Sequence, residues 1–364
     1  TLAKAVQLFA PDVILAPFLK RAIPAEIWEN HLCLVVHPGV VGDRGPSALD
    51  WAILDGETAW GVAVLQAVAE MDAGPVWACA DFPMRPATKS SLYRAEVTEA
   101  SLVAVREALS HVSMTEFVPR PLDCSDPETR GRLRPAMAQQ DRQIDWDGDT
   151  TETVLRKIRC ADGMPGLHDE IAGEKVFLHD ARPARGFSGE PGEVLATSGP
   201  AICLATRDGA LWVGHLRKPD GDVTFKLPAT RILARRLPQV PDIAVDTPRG
   251  YREIEYSEDG PVGTLRFEFY NGAMSTGQCE RLLAAYEAAL TRPTKVLVLA
   301  GGRDFWSNGI HLNIIEAADN PADESWRNIN AMDDLAEAII RTESHLTVAA
   351  VAGNSGAGGV FLAR

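Results

Sequence analysis

Short apolar runs that alternate with helix-period segments limit how this chain can fold more than any other feature. Val13–Leu15, Leu32–Val36, Gly61–Val68 and Val76–Phe82 are apolar runs of strand length. Ala48–Leu54, closed by Gly56, and Ser91–Val112 carry helical spacing. Strands alternating with helices build an α/β layer around a largely parallel sheet, which is expected to about residue 120. Pro119, Pro121 and the polar run to Arg142 read as a linker. Thr150 or Thr151 can then cap a short helix. Lys175–Leu178, Gly192–Leu195, Ala201–Ala205 and Ala210–His215 are short strands at the spacing of a small barrel or sandwich. Pro238, Pro241 and Pro248 mark a second linker. Beyond it, Val262–Phe269 alternates as a strand, and Ser275 and Gln278 have capping-box spacing. The helix they open carries the stripe Cys279, Leu282, Leu283, Tyr286 and Leu290. Lys295–Ala300 and Thr347–Val351 are further strands, with Met332, Leu335, Ile339 and Ile340 marking a helix between them. Three domains are expected, at 1–120, 121–240 and 241–364.

Charge and cysteine usage narrow the partners. The net charge of -14 argues against a nucleic-acid partner, which calls for a basic face. Local arginines or lysines can still hold an anionic small molecule. No apolar run approaches the roughly 20 residues that span a bilayer, so no membrane association is expected. Cys33, Cys79, Cys124, Cys160, Cys203 and Cys279 are scattered, without metal-ligand spacing, as in a reduced cytoplasmic protein. The chain opens on Thr1 and closes just after GAGGVFLAR, so both ends read as cuts in a longer protein.

The most informative front segment runs from Val35 to Ala78. His37 ends a strand, a loop rich in Gly and Pro follows, and a second strand pair approaches Asp72-Ala73-Gly74. Ligands of open α/β sheets sit at strand ends. A His and an Asp at two such ends can act as an acid–base pair, the carboxylate orienting an imidazole that manages protons on an attacking amine or thiol. From the residue types alone, a structural histidine and a turn aspartate are the commoner reading.

The segment resembles the formyltransferases that use formyl-tetrahydrofolate. His37 matches the family histidine, Gly45 the loop glycine, Gly56 the helix-ending glycine and Asp72 the catalytic aspartate, 35 positions after His37. PDVILAPFLKRAIP looks like the family's strand and pterin-side loop, and IDWDGDTTETVLRKIRCADGMPG like the start of its C-terminal β-barrel domain. The resemblance implies a partial Rossmann-like domain followed by a small OB-like barrel. Two stretches depart from the family. Val35 stands at its asparagine and offers no polar group to a developing oxyanion, and Gly39-Val40-Val41-Gly42 replaces its folate-side Ser-Leu-Leu-Pro. These departures leave an altered acceptor, a hydrolytic site or a degenerate site open.

The second informative pair is GGRDFWSNGIHL at 301–312 and VAGNSGAGGVFLA at 351–363. Each is a strand, a Gly-containing turn and a helix start. Two backbone N–H groups aimed at one point make an oxyanion hole for a thioester carbonyl, and glycine allows the close approach. Either turn alone is an ordinary strand-to-helix connection. Together they resemble the crotonase (enoyl-CoA hydratase/isomerase) superfamily, which implies the N-terminal half of a ββα domain. The first oxyanion N–H maps to Ile310, after Gly309, and the second to Gly358. The hydratase glutamate falls at Phe361, which has no acid–base chemistry. His311 reads as a capping or packing residue.

A formyltransferase joined to a crotonase domain resembles a family of hydrogenase maturation proteins. That implies formyl transfer from formyl-tetrahydrofolate to coenzyme A, then decarbonylation of formyl-CoA to supply CO to a NiFe-hydrogenase maturation machinery. The base for the second step is expected beyond Arg364. Two other readings stay open: an acyl-CoA hydratase/isomerase with a non-catalytic folate-binding front domain, and a folate- or CoA-binding scaffold.

Overall fold

A computed structural model of the chain describes residues 1–19, 21–127, 129–221 and 224–363. Lys20, in the segment likened to a pterin-side loop, and Arg364, at the edge of the last domain, lie outside the described residues. The chain divides into two compact units: residues 1–144 with 156–167, and residues 145–155 with those from 168 onward. Among the described residues, no helix is long and apolar enough to cross a membrane.

In the first unit the order is α1 (Leu2–Phe9), β1 (Val13–Pro17), α2 (Ala25–Trp28), β2 (Leu32–His37), α3 (Ala48–Asp55), β3 (Ala59–Gln66), β4 (Val76–Pro83), α4 (Lys89–Leu92) and α5 (Thr98–Val112). A π turn at Tyr93–Val97 joins the last two into the single long helix that the spacing predicts. The sheet order is β1-β2-β3-β4. Only β1 and β2 are parallel; β2–β3 and β3–β4 run antiparallel. The largely parallel sheet is therefore corrected to a mixed one. Residues 67–75 alone join β3 to β4, too few for the crossover a parallel pair needs.

Both faces of this sheet are covered. Val62 and Val64 on β3 enter the main cluster with Leu34, Val36, Leu49 and Leu92. Ala63 and Leu65, one register position away, pack with Val76 on the opposite face, as the two-residue strand period requires. Ala100, Ala104 and Ala108 recur every fourth position on α5 and let that helix approach the sheet closely. Gly56 ends α3 with φ 73°, a left-handed cap that glycine takes without strain. This packing fixes the end of β2, where His37 sits.

The second unit opens with the first half of α6 (Thr151–Cys160), where Thr150 Oγ1 accepts the Thr153 N–H at 3.2 Å. Then come β5 (Leu167–Ile171), β6 (Glu174–Ala184), β7 (Val194–Ser198), β8 (Ala201–Thr206), β9 (Gly209–Arg217), β10 (Leu227–Pro228) and α7 (Ala229–Ile232). Their sheet runs β5-β6-β9-β8-β7 with β10 on β9, a path that stays open among the described residues. Next are β11 (Ile254–Asp259), β12 (Val262–Phe267), α8 (Thr276–Leu290), β13 (Val296–Ala300), β14 (Phe305–Ser307), α9 (Leu312–Glu316), α10 (Pro321–Ile340), β15 (Leu346–Ala350), β16 (Asn354–Ser355) and α11 (Gly358–Leu362). β11 and β12 form a hairpin, and β12, β13 and β15 run parallel with helices as crossovers. Leu265, Phe267, Leu297, Leu299 and Trp306 meet Leu282, Tyr286 and Leu335 in one core.

The capping box at the start of α8 forms as its spacing predicts: the Ser275 N–H donates to Gln278 Oε1 at 2.9 Å, and Ser275 Oγ accepts the Gln278 N–H. Ser275→Ala should cost about 1 kcal/mol of stability by urea denaturation. A variant with an unchanged midpoint and slope would show that the cap adds nothing.

Candidate functional site

The end of β2 places His37 between two carboxylates. His37 is 4% exposed. Nε2 lies 2.9 Å from Asp43 Oδ1, and Nδ1 lies 3.5 Å from Asp72 Oδ1. His37 and Asp72, expected as a pair, are thus brought together. The closer partner is Asp43, 2% exposed, which sequence reasoning missed. Its signal was a carboxylate six positions beyond the histidine, in a loop read only for its glycines.

The glycines in that loop have separate reasons. A Cβ on Gly39 would sit 2.5 Å from His37 Nε2 and 2.7 Å from Asp43 Oδ1, so only glycine admits the His–Asp contact. Gly45 has φ 116°, and a Cβ there would lie 2.1 Å from the Arg134 carbonyl oxygen. Its N–H donates to Asp72 Oδ2 at 3.2 Å. Asp72 itself has φ 57°, an uncommon left-handed conformation that aspartate tolerates. Arg44, next in the loop, pairs with Glu70.

A cavity of about 140 Å³ adjoins Asp72 and is lined by Arg21, Trp28, Val35, Gln66 and Met71, among others. Val35, at the position of the family asparagine, forms part of its wall. The cavity therefore offers apolar contact there and places its ionisable groups elsewhere.

In the second unit the two glycine turns meet. β14 and β16 pair in parallel, Phe305 with Asn354 and Ser307 with Ser355, which sets the residues after them side by side. Gly309 has φ 81°, and a Cβ on it would lie 3.0 Å from the Gly358 nitrogen. The Met274 N–H donates to the Gly309 carbonyl at 2.9 Å, and the His311 N–H donates to Asn328 Oδ1 at 3.1 Å, pinning the first turn. Neither the Ile310 nor the Gly358 N–H donates to a protein acceptor among the described residues. Phe361 is 71% exposed on α11.

A cavity of about 270 Å³ at Ile310 is lined by His215, Lys226, Tyr270, Asn308 and His311, among others. His311 Nδ1 accepts the Ile314 N–H and caps α9, the capping role expected for it. Burial pushes its pKa down to about 4, so it stays neutral near pH 7. His215 stacks on Tyr270, with ring centroids 4.4 Å apart, and its Nδ1 lies 2.9 Å from Asp180 Oδ2. Burial alone would raise the Asp180 pKa. The Arg182 charge and hydrogen bonds from His215 and Tyr251 hold it well below the usual carboxylate range. No local pattern signals this convergence, because His215, Lys226 and Tyr270 come from separate stretches.

This front geometry, a histidine at the end of β2 and an aspartate in the β3–β4 connection beside a cavity, lies in a formyl transferase-type domain. Family models agree: formyl transferase matches residues 1–109, and the formyl transferase C-terminal domain matches residues 136–226. Along nearly its whole length the chain is similar to the HoxX/HypX hydrogenase maturation factors. It is 54% identical over 362 residues to the hydrogenase maturation factor HoxX of Bradyrhizobium diazoefficiens, spanning 99% of this chain and 62% of that protein. HypX from Aquifex aeolicus, solved in complex with tetrahydrofolic acid, superposes with a TM-score of 0.91 at 48% identity, over 99% of this chain and 64% of that one. The chain thus spans a little under two thirds of these relatives' length. Methionyl-tRNA formyltransferase of Myxococcus xanthus is 29% identical over 227 residues, 60% of this chain and 69% of that enzyme.

Proposed function

We propose that the protein moves a formyl group from formyl-tetrahydrofolate to coenzyme A, then splits formyl-CoA into CO and CoA for NiFe-hydrogenase maturation. The observation that carries this reading is the meeting of the Gly309–Ile310 and Gly358 turns in a chain that also holds the His37 cluster. The first step needs a group to take the acceptor's proton, and His37 with its carboxylates fits. A thiol is more acidic than an amine and leans less on an oxyanion donor, which suits Val35. The HypX relative solved with tetrahydrofolic acid supports the choice of donor.

In the second step, formyl-CoA has no α-carbon, so no enolate can form. The Ile310 and Gly358 N–H groups would hold and polarise the formyl oxygen. A base takes the formyl proton, the C–S bond breaks, and the thiolate takes up a proton, leaving CO and CoA.

The test is to incubate the complete gene product with formyl-tetrahydrofolate and CoA and trap CO on reduced haemoglobin. Carbonyl-haemoglobin is the expected result. Formyl-CoA that accumulates without CO would remove the second step, and the absence of both products would remove the whole reading. The hydratase alternative makes the opposite demand. With Phe361 in the glutamate position, hydration of crotonyl-CoA should be undetectable by loss of enoyl absorbance. Reproducible turnover would favour the hydratase.

A further inference from the structure

The two carboxylates around His37 make different demands on the ring. A neutral imidazole carries one N–H and can donate to only one of them. Asp43 Oδ1 is at hydrogen-bond distance from Nε2, 2.9 Å, whereas Asp72 Oδ1 stands 3.5 Å from Nδ1, beyond the usual range. Both carboxylates are well buried, with 2% and 9% of their side chains exposed, so water screens neither strongly. In a neutral ring the nearer carboxylate is the better acceptor, which favours the proton on Nε2.

We propose that Asp43 is the positioning residue of the front site: it fixes His37 as the Nε2–H tautomer and so makes Nδ1 the proton acceptor for a thiol. The inference rests on the formyl-transfer reading above. The thiol sulfur attacks the formyl carbon, its proton passes to Nδ1, the bond from that carbon to the folate nitrogen breaks, and the same proton goes to that nitrogen. Thioester and tetrahydrofolate result, with no further reactant. Asp72, held by the Gly45 N–H, faces Nδ1 and stabilises the positive ring while it carries the proton. With its one N–H committed to Asp43, His37 is not available as an oxyanion donor. The site therefore suits an acceptor that mainly needs deprotonation.

The surrounding loop is built for this contact. Gly39 leaves room for it, and a Cβ on Gly131 would lie 1.7 Å from the Asp43 nitrogen, so the backbone packs directly against the carboxylate's own residue. When Asp43 is neutralised, the Asp72 charge is the remaining attraction and draws the proton to Nδ1.

The experiment is nitrogen-15 NMR of histidine-labelled complete gene product without substrate, with the His37 signals assigned by their loss in His37→Gln. The wild type should show a protonated Nε2 and an unprotonated Nδ1. Asp43→Asn should reverse this and lower kcat for formyl-CoA formation by about 10²-fold or more, with KM for the folate within about twofold. If Asp43→Asn does not fold, Gly39→Ala, which drives a methyl between the two partners, should give the same reversal. A wild-type proton on Nδ1 overturns the proposal. So does a folded variant that keeps the Nε2 tautomer, whatever its kcat. The tautomer is read without turnover, so failure of this inference is distinct from failure to make formyl-CoA.

Discussion

His37→Ala in the complete gene product should cut formyl-CoA formation by about 10²-fold or more, the usual contribution of a positioned acid–base group. The imidazole contacts both carboxylates, at 2.9 and 3.5 Å, so its removal takes away the proton acceptor and a link between them. It also leaves Asp43 buried without its partner, which should cost roughly 1–3 kcal/mol of stability. Thermal unfolding must therefore accompany the assay. Asp72→Asn separates the effects. Asparagine tolerates the left-handed backbone at φ 57° and its side-chain oxygen can still accept the Gly45 N–H, so the fold should be nearly undisturbed. It lacks the charge that stabilises a protonated ring, and formyl transfer should again fall by about 10²-fold. Formyl-CoA measured chromatographically decides the matter. Near-normal formation by either variant, at matched folded fraction, would remove the front mechanism.

What could be read from the sequence follows the range of the interactions involved. Gly56 as a helix stop and Ser275 with Gln278 as a capping box depend on residues a few positions apart, and both form as their spacing predicts. His37 was legible because it ends a strand, whereas Asp72 lies within the 67–75 connection between two strands, and its pairing with His37 was legible only from the spacing of the family motif. The strand directions were less legible. An apolar run such as Gly61–Val68 says that a strand is buried, not which way its neighbour runs, and the short 67–75 connection imposed antiparallel pairing. Asp43 was hidden for a different reason. Its approach to His37 depends on the loop folding back across Gly39, and on residue 131 packing behind it from a segment read as linker. The cavity at Ile310 is longer in range still, since Lys226 Nζ reaches the Tyr270 hydroxyl at 2.7 Å across 44 positions.

The second large effect is expected at Gly358. Gly358→Val should abolish CO release from formyl-CoA while leaving formyl transfer intact. A Cβ at this position would lie 2.5 Å from Met332 Sδ, so even one methyl requires that side chain to move, and valine adds two more carbons. Met332 is 6% exposed in the core and has little room to retreat, so the first turn of α11 should shift instead. The Gly358 N–H then moves away from Gly309, whose Cα lies within van der Waals reach of that Cβ position at 3.6 Å. Loss of one oxyanion donor costs roughly 3–4 kcal/mol, so CO release should fall by more than about 10²-fold. Gly358→Ala gives a graded control: methionine is flexible enough to yield to a single methyl, and the defect should be smaller. Formyl transfer should persist in both variants because His37 belongs to the other compact unit. Carbonyl-haemoglobin formed from added formyl-CoA reads the second step alone, and formyl-CoA formed from the folate donor reads the first. If Gly358→Val released CO at the wild-type rate, the paired glycine turns would not be the decarbonylation site. If it lost both activities while folded, the two steps would not be separable in the way the two sites require.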